Sequence, residues 1–155
     1  MDANKRNKKL HLWVCFIAYL LLLGYLVFFS SYMGRDGNNN YRYNLVFFQE
    51  IGRFYYYGIR TGNWDLFLLN VVGNIAVFIP IGVFFCKLFK RCKKLFPTAL
   101  LTFELSLVIE IIQLLTKVGS FDVDDLFLNT MGGVCGYIIY MICHNVKAFV
   151  KKRLR

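Results

Sequence analysis

Four stretches of the chain are almost continuously apolar, and segments rich in charged, aromatic or turn-forming residues separate them. The stretches cover approximately residues 12–29, 66–85, 97–116 and 126–143. At 1.5 Å of rise per residue, each forms a helix long enough to cross roughly 30 Å of hydrocarbon. The sequence therefore predicts an all-α integral membrane protein with four transmembrane helices, in a single membrane domain over residues 1–155.

Polar and small residues recur at intervals of three and four within three of these spans, so each predicted helix carries one polar stripe. Lipid cannot satisfy such groups, and the stripes are expected to face one another. The stripes comprise, in chain order, Asn70 and Asn74 continued by Phe78 and Gly82; Thr102, Ser106, Glu110, Gln113 and Lys117; and Asp125, Asn129, Gly132, Gly133 and Gly136.

The polar ends of the three stripes fall at one level when antiparallel neighbouring spans are aligned in a bilayer. This predicts a polar cup that opens toward the external face. Its expected ligand-binding or functional cluster consists of Asn70, Asn74, Glu110, Gln113, Asp122, Asp125 and Asn129. For Glu110 two interpretations stay open, a functional carboxyl and a hydrogen-bonded clasp between helices.

The stretch SFDVDD at 120–125 places three acids directly before the fourth span. A helix N-terminus has free N–H groups and a partial positive charge, so an acid there is expected to cap it. Asp122 and Asp124 are both suitable, and Asp124 is assigned as the cap, whereas Asp125 heads the stripe that enters the cup. Gly132, Gly133 and Gly136 are predicted to be helix-packing positions.

The external segment, residues 30–65, is turn-prone in its first part and aromatic in its second. Apolar residues at 45, 48, 51 and 55 follow helical spacing, which predicts a short helix in the outer interface. Simple anchoring and a lid over the cup are both compatible with this pattern.

Composition and charge agree with a membrane protein. The chain is 57% hydrophobic, which is more apolar surface than a soluble domain of this size can bury. Most of the 19 Lys and Arg residues lie in the two terminal tails and in the loop between the second and third spans. Since positive charge is retained inside, a multi-pass protein of the cell membrane with both termini cytoplasmic is predicted. The net charge of +10 favours the lipid bilayer as partner, and no nucleic acid is expected.

The sequence predicts no catalytic residue, metal site or cofactor. The five cysteines lie in or near the spans without a Cys-x-x-Cys motif, and the cup shows no His–acid pair and no basic phosphate clamp. Glu104 lies off the stripe of the third span. It is protonated, paired with a base of the second cytoplasmic loop, or part of a helix contact, and these alternatives stay open.

Four segments resemble the VanZ-like family over residues 41–140: NLVFF at 44–48, NVVGNIAVFIPIG at 70–82, ELSLVIEIIQ at 104–113 and FDVDDLFLNTMGGVCGY at 121–137. The resemblance implies a small multi-span protein of bacterial membranes. The family is named for a member linked to resistance to teicoplanin, a glycopeptide that binds cell-wall precursors. Its recurring polar positions coincide with the predicted cup, but this chain has Phe47 where many members have Pro. Many members also carry an Arg shortly before the first Asp, where this chain has Gly119 and Ser120.

Three functions follow from these observations. The favoured one is a non-catalytic cell-envelope factor that gives or modulates teicoplanin-type resistance by binding a lipid-linked cell-wall precursor or a lipoglycopeptide. The second is a membrane enzyme that acts on a lipid phosphate through intramembrane carboxylates. The third is a subunit of a proton-coupled transporter that uses Glu110 and Glu104. A homo-oligomer is compatible with each.

Overall fold

The protein is described by a computed structural model that covers residues 3–29 and 41–154. The described part is helical apart from two strands of three residues each. In chain order the elements are α1 (Ala3–Phe29), β1 (Arg42–Asn44), α2 (Gln49–Thr61), α3 (Asp65–Phe67), a π-helical turn (Leu68–Val72), α4 (Gly73–Leu88), a 3-10 turn (Lys90–Lys93), α5 (Leu95–Thr116), β2 (Ser120–Asp122) and α6 (Val123–Arg153). The turn-prone beginning of the external segment, residues 30–40, lies outside the described residues.

Four helical segments are long and apolar enough to cross a membrane, at Arg6–Phe28, Asp65–Leu88, Leu95–Thr116 and Val123–Arg153. The predicted number and order of spans is therefore confirmed for the described chain. The last helix extends past the predicted end at residue 143, because no Gly or Pro follows Gly136 to stop it. The helix predicted in the external segment exists as α2, while its place in the interface and the orientation of the termini stay predictions.

Helices α4 and α6 approach so closely that their glycines leave no room for a methyl group. A Cβ atom on Gly82 would collide with the backbone oxygen of Gly133, and one on Gly136 would collide with the backbone oxygen of Ile79. The same holds for Gly133 against the side chain of Thr102 on α5. Close backbone approach of this kind is how helices pack where no hydrophobic effect drives them together.

Helix α5 turns its polar stripe toward α6 and not toward lipid. Thr98, Thr102 and Ser106 are fully buried, and Glu110 is 2% exposed. The two threonine hydroxyls donate to backbone oxygens four residues earlier, Thr98 to Lys94 and Thr102 to Thr98. The prediction that the polar stripes face the bundle interior is confirmed for this helix.

The two short strands join parts of the chain that no sequence pattern connects. Strand β1 pairs in parallel with β2, in the register Arg42 to Ser120, Tyr43 to Phe121 and Asn44 to Asp122. The pairing places the external segment directly against the start of α6. No periodic pattern marks strands this short, so the sheet is a correction to a purely helical expectation.

The glycine contacts predict a selective cost of adding one methyl group. Gly136→Ala should lower the free energy of unfolding by about 1–3 kcal/mol, because backbone of α4 has to move. Gly24→Ala in α1 is the matched control, since a Cβ there meets nothing within 4 Å. Thermal unfolding in detergent measures both variants, and an equal response would contradict the close α4–α6 contact.

Candidate functional site

A cavity of about 650 Å³ lies between the external segment and the adjoining ends of α4, α5 and α6. Seven elements contribute polar side chains to its wall. These are Arg42 and Asn44 of β1, Glu50 and Arg53 of α2, Asn70 of the π-helical turn, Asn74 of α4, Gln113 of α5, Ser120 and Asp122 of β2, and Asp125 of α6. Five of the seven residues predicted for the cup, namely Asn70, Asn74, Gln113, Asp122 and Asp125, therefore line one cavity.

Asp124 anchors α2, the helix of the external segment, to the start of α6. Its carboxylate accepts the backbone N–H of Phe48 at 2.5 Å, of Glu50 at 2.9 Å and of Ile51 at 3.2 Å. These are free N–H groups at the beginning of α2, where a carboxylate is favoured by hydrogen bonding and by the helix dipole. Phe48 holds a left-handed backbone conformation with φ of 63°, so the chain turns sharply at this anchor.

The assignment of Asp124 as the cap of the fourth span is wrong. Asp122 is the N-cap of α6, and its Oδ1 accepts the backbone N–H of Asp124 at 2.8 Å. Asp124 caps a helix from a distant part of the sequence instead. The two acids occupy neighbouring positions with equal local propensity, and only the tertiary fold distinguishes their roles.

Asp122 is the point where three elements meet. Besides capping α6, its Oδ1 accepts from Nδ2 of Asn44 at 3.1 Å, and its own N–H donates to Oε2 of Glu110 at 3.0 Å. Burial raises the pKa of Asp122 from 3.8 to about 6, against the lowering effect of the hydrogen bonds from Asp124 and Asn44. The nearby Asp124 carboxylate adds to the rise in pKa.

The paired stripes of α4 and α6 meet in a direct hydrogen bond at the cavity wall. Nδ2 of Asn74 donates to Oδ1 of Asp125 at 2.5 Å. Asn70 lies one turn earlier, within the π-helical turn, and its Nδ2 donates to the backbone oxygen of Leu66 at 2.8 Å. A π-helical turn inside a helix is frequently found at functional sites, and here it places Asn70 on the cavity wall.

Glu110 and Asn129 lie beneath the cavity and do not line it. Glu110 is 2% and Asn129 is 4% exposed, and Nδ2 of Asn129 donates to Oγ of Ser106 at 2.9 Å. Within the described residues, Oδ1 of Asn129 is a buried oxygen without a hydrogen-bond donor. Glu110 takes its bond from the Asp122 backbone and not from the predicted asparagines. Its functional role stays a prediction.

Two arginines line the cavity, where the sequence predicts no basic phosphate clamp. Arg53 forms an ion pair with Glu50 on the same face of α2. Arg42 reaches the cavity because β1 pairs with β2, where it lies opposite Ser120. Neither arginine lies in a predicted span, so the search for polar stripes within the spans could not find them. The sequence feature that could have indicated them is the mixture of aromatic and basic residues in the external segment.

Another polar contact joins α5 to α1. Nε2 of Gln113 lies 3.4 Å from the backbone oxygen of Val27 and also faces the cavity. Across the described ranges, His, Cys, Asp and Glu side chains nowhere gather in a group of three or more suited to a metal ion. The cavity is thus a site of mixed charge and amide groups held by backbone contacts.

Comparison with known proteins identifies the family of the chain. A sequence model of the VanZ/LLP1 family matches residues 16–144. The chain belongs to the VanZ/LLP1 family. Over 80 residues it is 35% identical to Protein VanZ of Enterococcus faecium, and the match covers 52% of this chain and 47% of that protein, about half of each. No solved structure matches the chain.

The VanZ/LLP1 match includes all the residues that line the cavity. One departure from the VanZ-like pattern lies on the cavity wall. The Arg that the resemblance implies shortly before Asp122 is replaced here by Gly119 and Ser120. Since partners in a parallel pair lie side by side, Arg42 brings a guanidinium to the wall on which Ser120 lies.

The Asp124 anchor can be tested by hydrogen exchange. In Asp124→Asn the NH₂ group faces at least one backbone donor of α2, whichever way the amide is turned. Hydrogen bonds to a charged acceptor contribute about 1.5–3 kcal/mol, so amide exchange at the start of α2 should accelerate roughly 10- to 100-fold. Asp65→Asn, at an exposed position that begins α3, is the control. Unchanged protection of the peptide covering residues 46–57 would contradict the anchor.

The raised pKa of Asp122 predicts a pH-dependent stability. Its contribution is full below the unfolded value of 3.8 and is lost as pH rises through about 6, because the folded state holds the proton more tightly. Asp122→Asn keeps an oxygen acceptor for both hydrogen bonds without the charge. Wild type should therefore lose thermal stability relative to Asp122→Asn between about pH 4 and 7. Parallel melting curves over this range would contradict the assignment.

Proposed function

We propose that this protein is a non-catalytic factor of the cell envelope that gives or modulates resistance to teicoplanin-type glycopeptides. In this proposal it binds a lipid-linked or lipophilic ligand in the cavity, which opens toward the external face. The cavity of about 650 Å³, with polar side chains from seven elements, is the observation that carries the proposal. Membership of the VanZ/LLP1 family supports it, as does the similarity to Protein VanZ.

The chemistry of the wall suits a ligand with an anionic head. Arginine presents a planar fork of N–H donors that matches carboxylate and phosphate oxygens. Arg42 and Arg53 supply two such groups, while Asn70, Asn74 and Gln113 add amides that both donate and accept. Cell-wall precursors linked to lipid carry phosphate and carboxylate groups of this kind.

The surroundings of the cavity suit an apolar tail. Leu66 and Phe54 belong to the lining itself. Leu45, Val46 and Phe47 follow directly after β1, and each is about 60% exposed. A lipid tail that lies along these side chains buries apolar surface on both partners, which contributes roughly 25 cal/mol per Å².

A membrane enzyme is the second candidate, and the two arginines favour it. A basic pair beside Asp122 and Asp125 is an arrangement that can position a lipid phosphate and transfer a proton. Release of inorganic phosphate from a polyprenyl diphosphate in vesicles, followed with the purified protein, separates this candidate from binding alone.

The contacts below the cavity disfavour a transporter. The polar stripe continues from Glu110 to Thr98, but Gly133 packs on Thr102 without room for a methyl group. A water-filled path needs polar space wide enough for one water molecule at every level. The close contact of Gly133 with Thr102 closes the bundle below the cavity.

Glycopeptide susceptibility of a sensitive Gram-positive host that expresses the chain tests the proposal. Wild type should raise the inhibitory concentration of teicoplanin several-fold. Asp125→Asn and Arg42→Gln should abolish most of this protection at equal membrane abundance, because each removes a charge from the cavity wall. Arg60→Gln removes an equal charge from an exposed position on α2 outside the cavity and should protect like wild type.

Three outcomes argue against the proposal. Protection by Asp125→Asn and Arg42→Gln equal to wild type would assign the effect to another surface. An equal loss in Arg60→Gln would indicate a general effect of external charge. No protection by wild type would remove teicoplanin-type resistance as the function of this chain.

A further inference from the structure

Glu104 lies on the outer surface of the helix bundle, in the middle of a span. It is exposed on α5, and the fully buried Thr102 and Ser106 lie on the opposite side of the helix. In the chain that the structure describes, residues 3–29 and 41–154, its carboxyl group makes no hydrogen bond or ion pair. A base from the loop between α4 and α5 does not reach it, so of the alternatives that the sequence leaves open, pairing within the chain is excluded for the described residues.

Its depth makes this position costly. Glu104 lies about 14 Å from the start of α5 at Leu95 and about 18 Å from its end at Thr116, at 1.5 Å per residue. This is close to the middle of the hydrocarbon, where an ionisable side chain costs roughly 2.5 kcal/mol or more on insertion scales. A long side chain can reach the interface from a helix end but not from here. The carboxyl group therefore needs a partner at the same depth.

The residues around Glu104 form an apolar seam. Leu100, Val108, Ile111 and Leu115 continue its face at steps of 4, 4, 3 and 4, and each is at least 42% exposed. Spacing of this kind is that of one helix packed along another. A single hydrogen-bonding group within such a seam selects a partner surface that can bond to that group. Polar residues act in this way between membrane helices.

We propose that this seam of α5 binds α5 of a second copy of the chain, with the two Glu104 carboxyl groups hydrogen-bonded to each other. Two carboxyl groups that each carry a proton exchange two O–H···O bonds and so satisfy one another completely. A two-fold axis along the membrane normal keeps both groups at one depth. It also gives the self-complementary contact that is commonest among oligomers.

A second copy fits better than the other occupants. The basic residues of the chain lie in its tails, in its loops or at helix ends, so none reaches the middle of a span to pair with Glu104 in a copy. Glu104 itself is the ionisable group that a copy presents at that depth. Gln113 faces the cavity from the other side of α5, so the contact leaves both cavities open and does not depend on the proposed function.

Disulfide cross-linking in vesicles that contain only the purified full chain tests this contact. Val108→Cys lies on the seam, and Met131→Cys on α6 is the control. Both positions lie about 12 Å from the cavity-side ends of their helices, at 1.5 Å per residue. Cys15, Cys135 and Cys143 are replaced by Ser so that the introduced thiol is the accessible one. Val108→Cys should give a dimer on oxidation, and Met131→Cys should give little.

Variants at Glu104 separate the carboxyl group from the rest of the seam. Adding Glu104→Leu should lower the association constant by about 3- to 30-fold, the loss expected for a hydrogen bond between membrane helices. Glu104→Gln should retain most of the cross-linking, because two amides also exchange two hydrogen bonds. Equal helical content by circular dichroism establishes that all variants fold.

The proposal is overturned if Glu104→Leu cross-links like the parent, or if Met131→Cys cross-links as well as Val108→Cys. It is also overturned if Val108→Cys joins a protein of different mass in native membranes while the purified chain stays monomeric. That result would assign the seam to another membrane protein.

Discussion

The carboxylate of Asp124 is the constraint on which the candidate site depends. It is 1% exposed, and three backbone N–H groups of the external segment satisfy it. A buried carboxyl group without partners would be strongly destabilising, and the three N–H bonds remove that cost. The same bonds satisfy donors that the first turn of α2 cannot satisfy itself. The bonds of this one side chain thus satisfy both the buried carboxyl group and the free N–H groups of α2. They also hold the external segment against the start of α6.

The β1–β2 pairing works together with this anchor. It aligns Asn44 with Asp122, and the Asn44 amide then bonds the carboxylate that caps α6. Backbone pairing satisfies polar groups that would otherwise be exposed near the membrane, where lipid offers no hydrogen bonds. Beneath the cavity, the glycines of α4 and α6 pack without room for a methyl group. The cavity is therefore polar at its wall and closely packed below.

Helical periodicity in the sequence correctly predicted that α4 and α6 face each other through their polar residues. Stripes with a step of four placed Asn74 and Asp125 on facing surfaces, and the structure joins them by a hydrogen bond. It missed contacts between segments that are distant along the chain and carry no period. Asp124 and Phe48 are 76 positions apart, and nothing local distinguishes Asp124 from Asp122 as a cap. Arg42 was missed for the same reason, since its place on the cavity wall follows from a three-residue strand.

The four acids around the start of α6 differ in the donors that hold them. Asp124 is bound by three backbone N–H groups, Asp122 by the N–H of Asp124 and the Asn44 amide, and Glu110 by the N–H of Asp122. Backbone donors are fixed by the elements they belong to, so Asp124 and Glu110 cannot change these partners without local unfolding, and Asp122 keeps the N–H of Asp124 even if the Asn44 side chain turns away. Asp125 differs, because Nδ2 of Asn74, which donates to it, belongs to a side-chain amide that can rotate. Asp125 thus lines the cavity and holds the partner that is easiest to move.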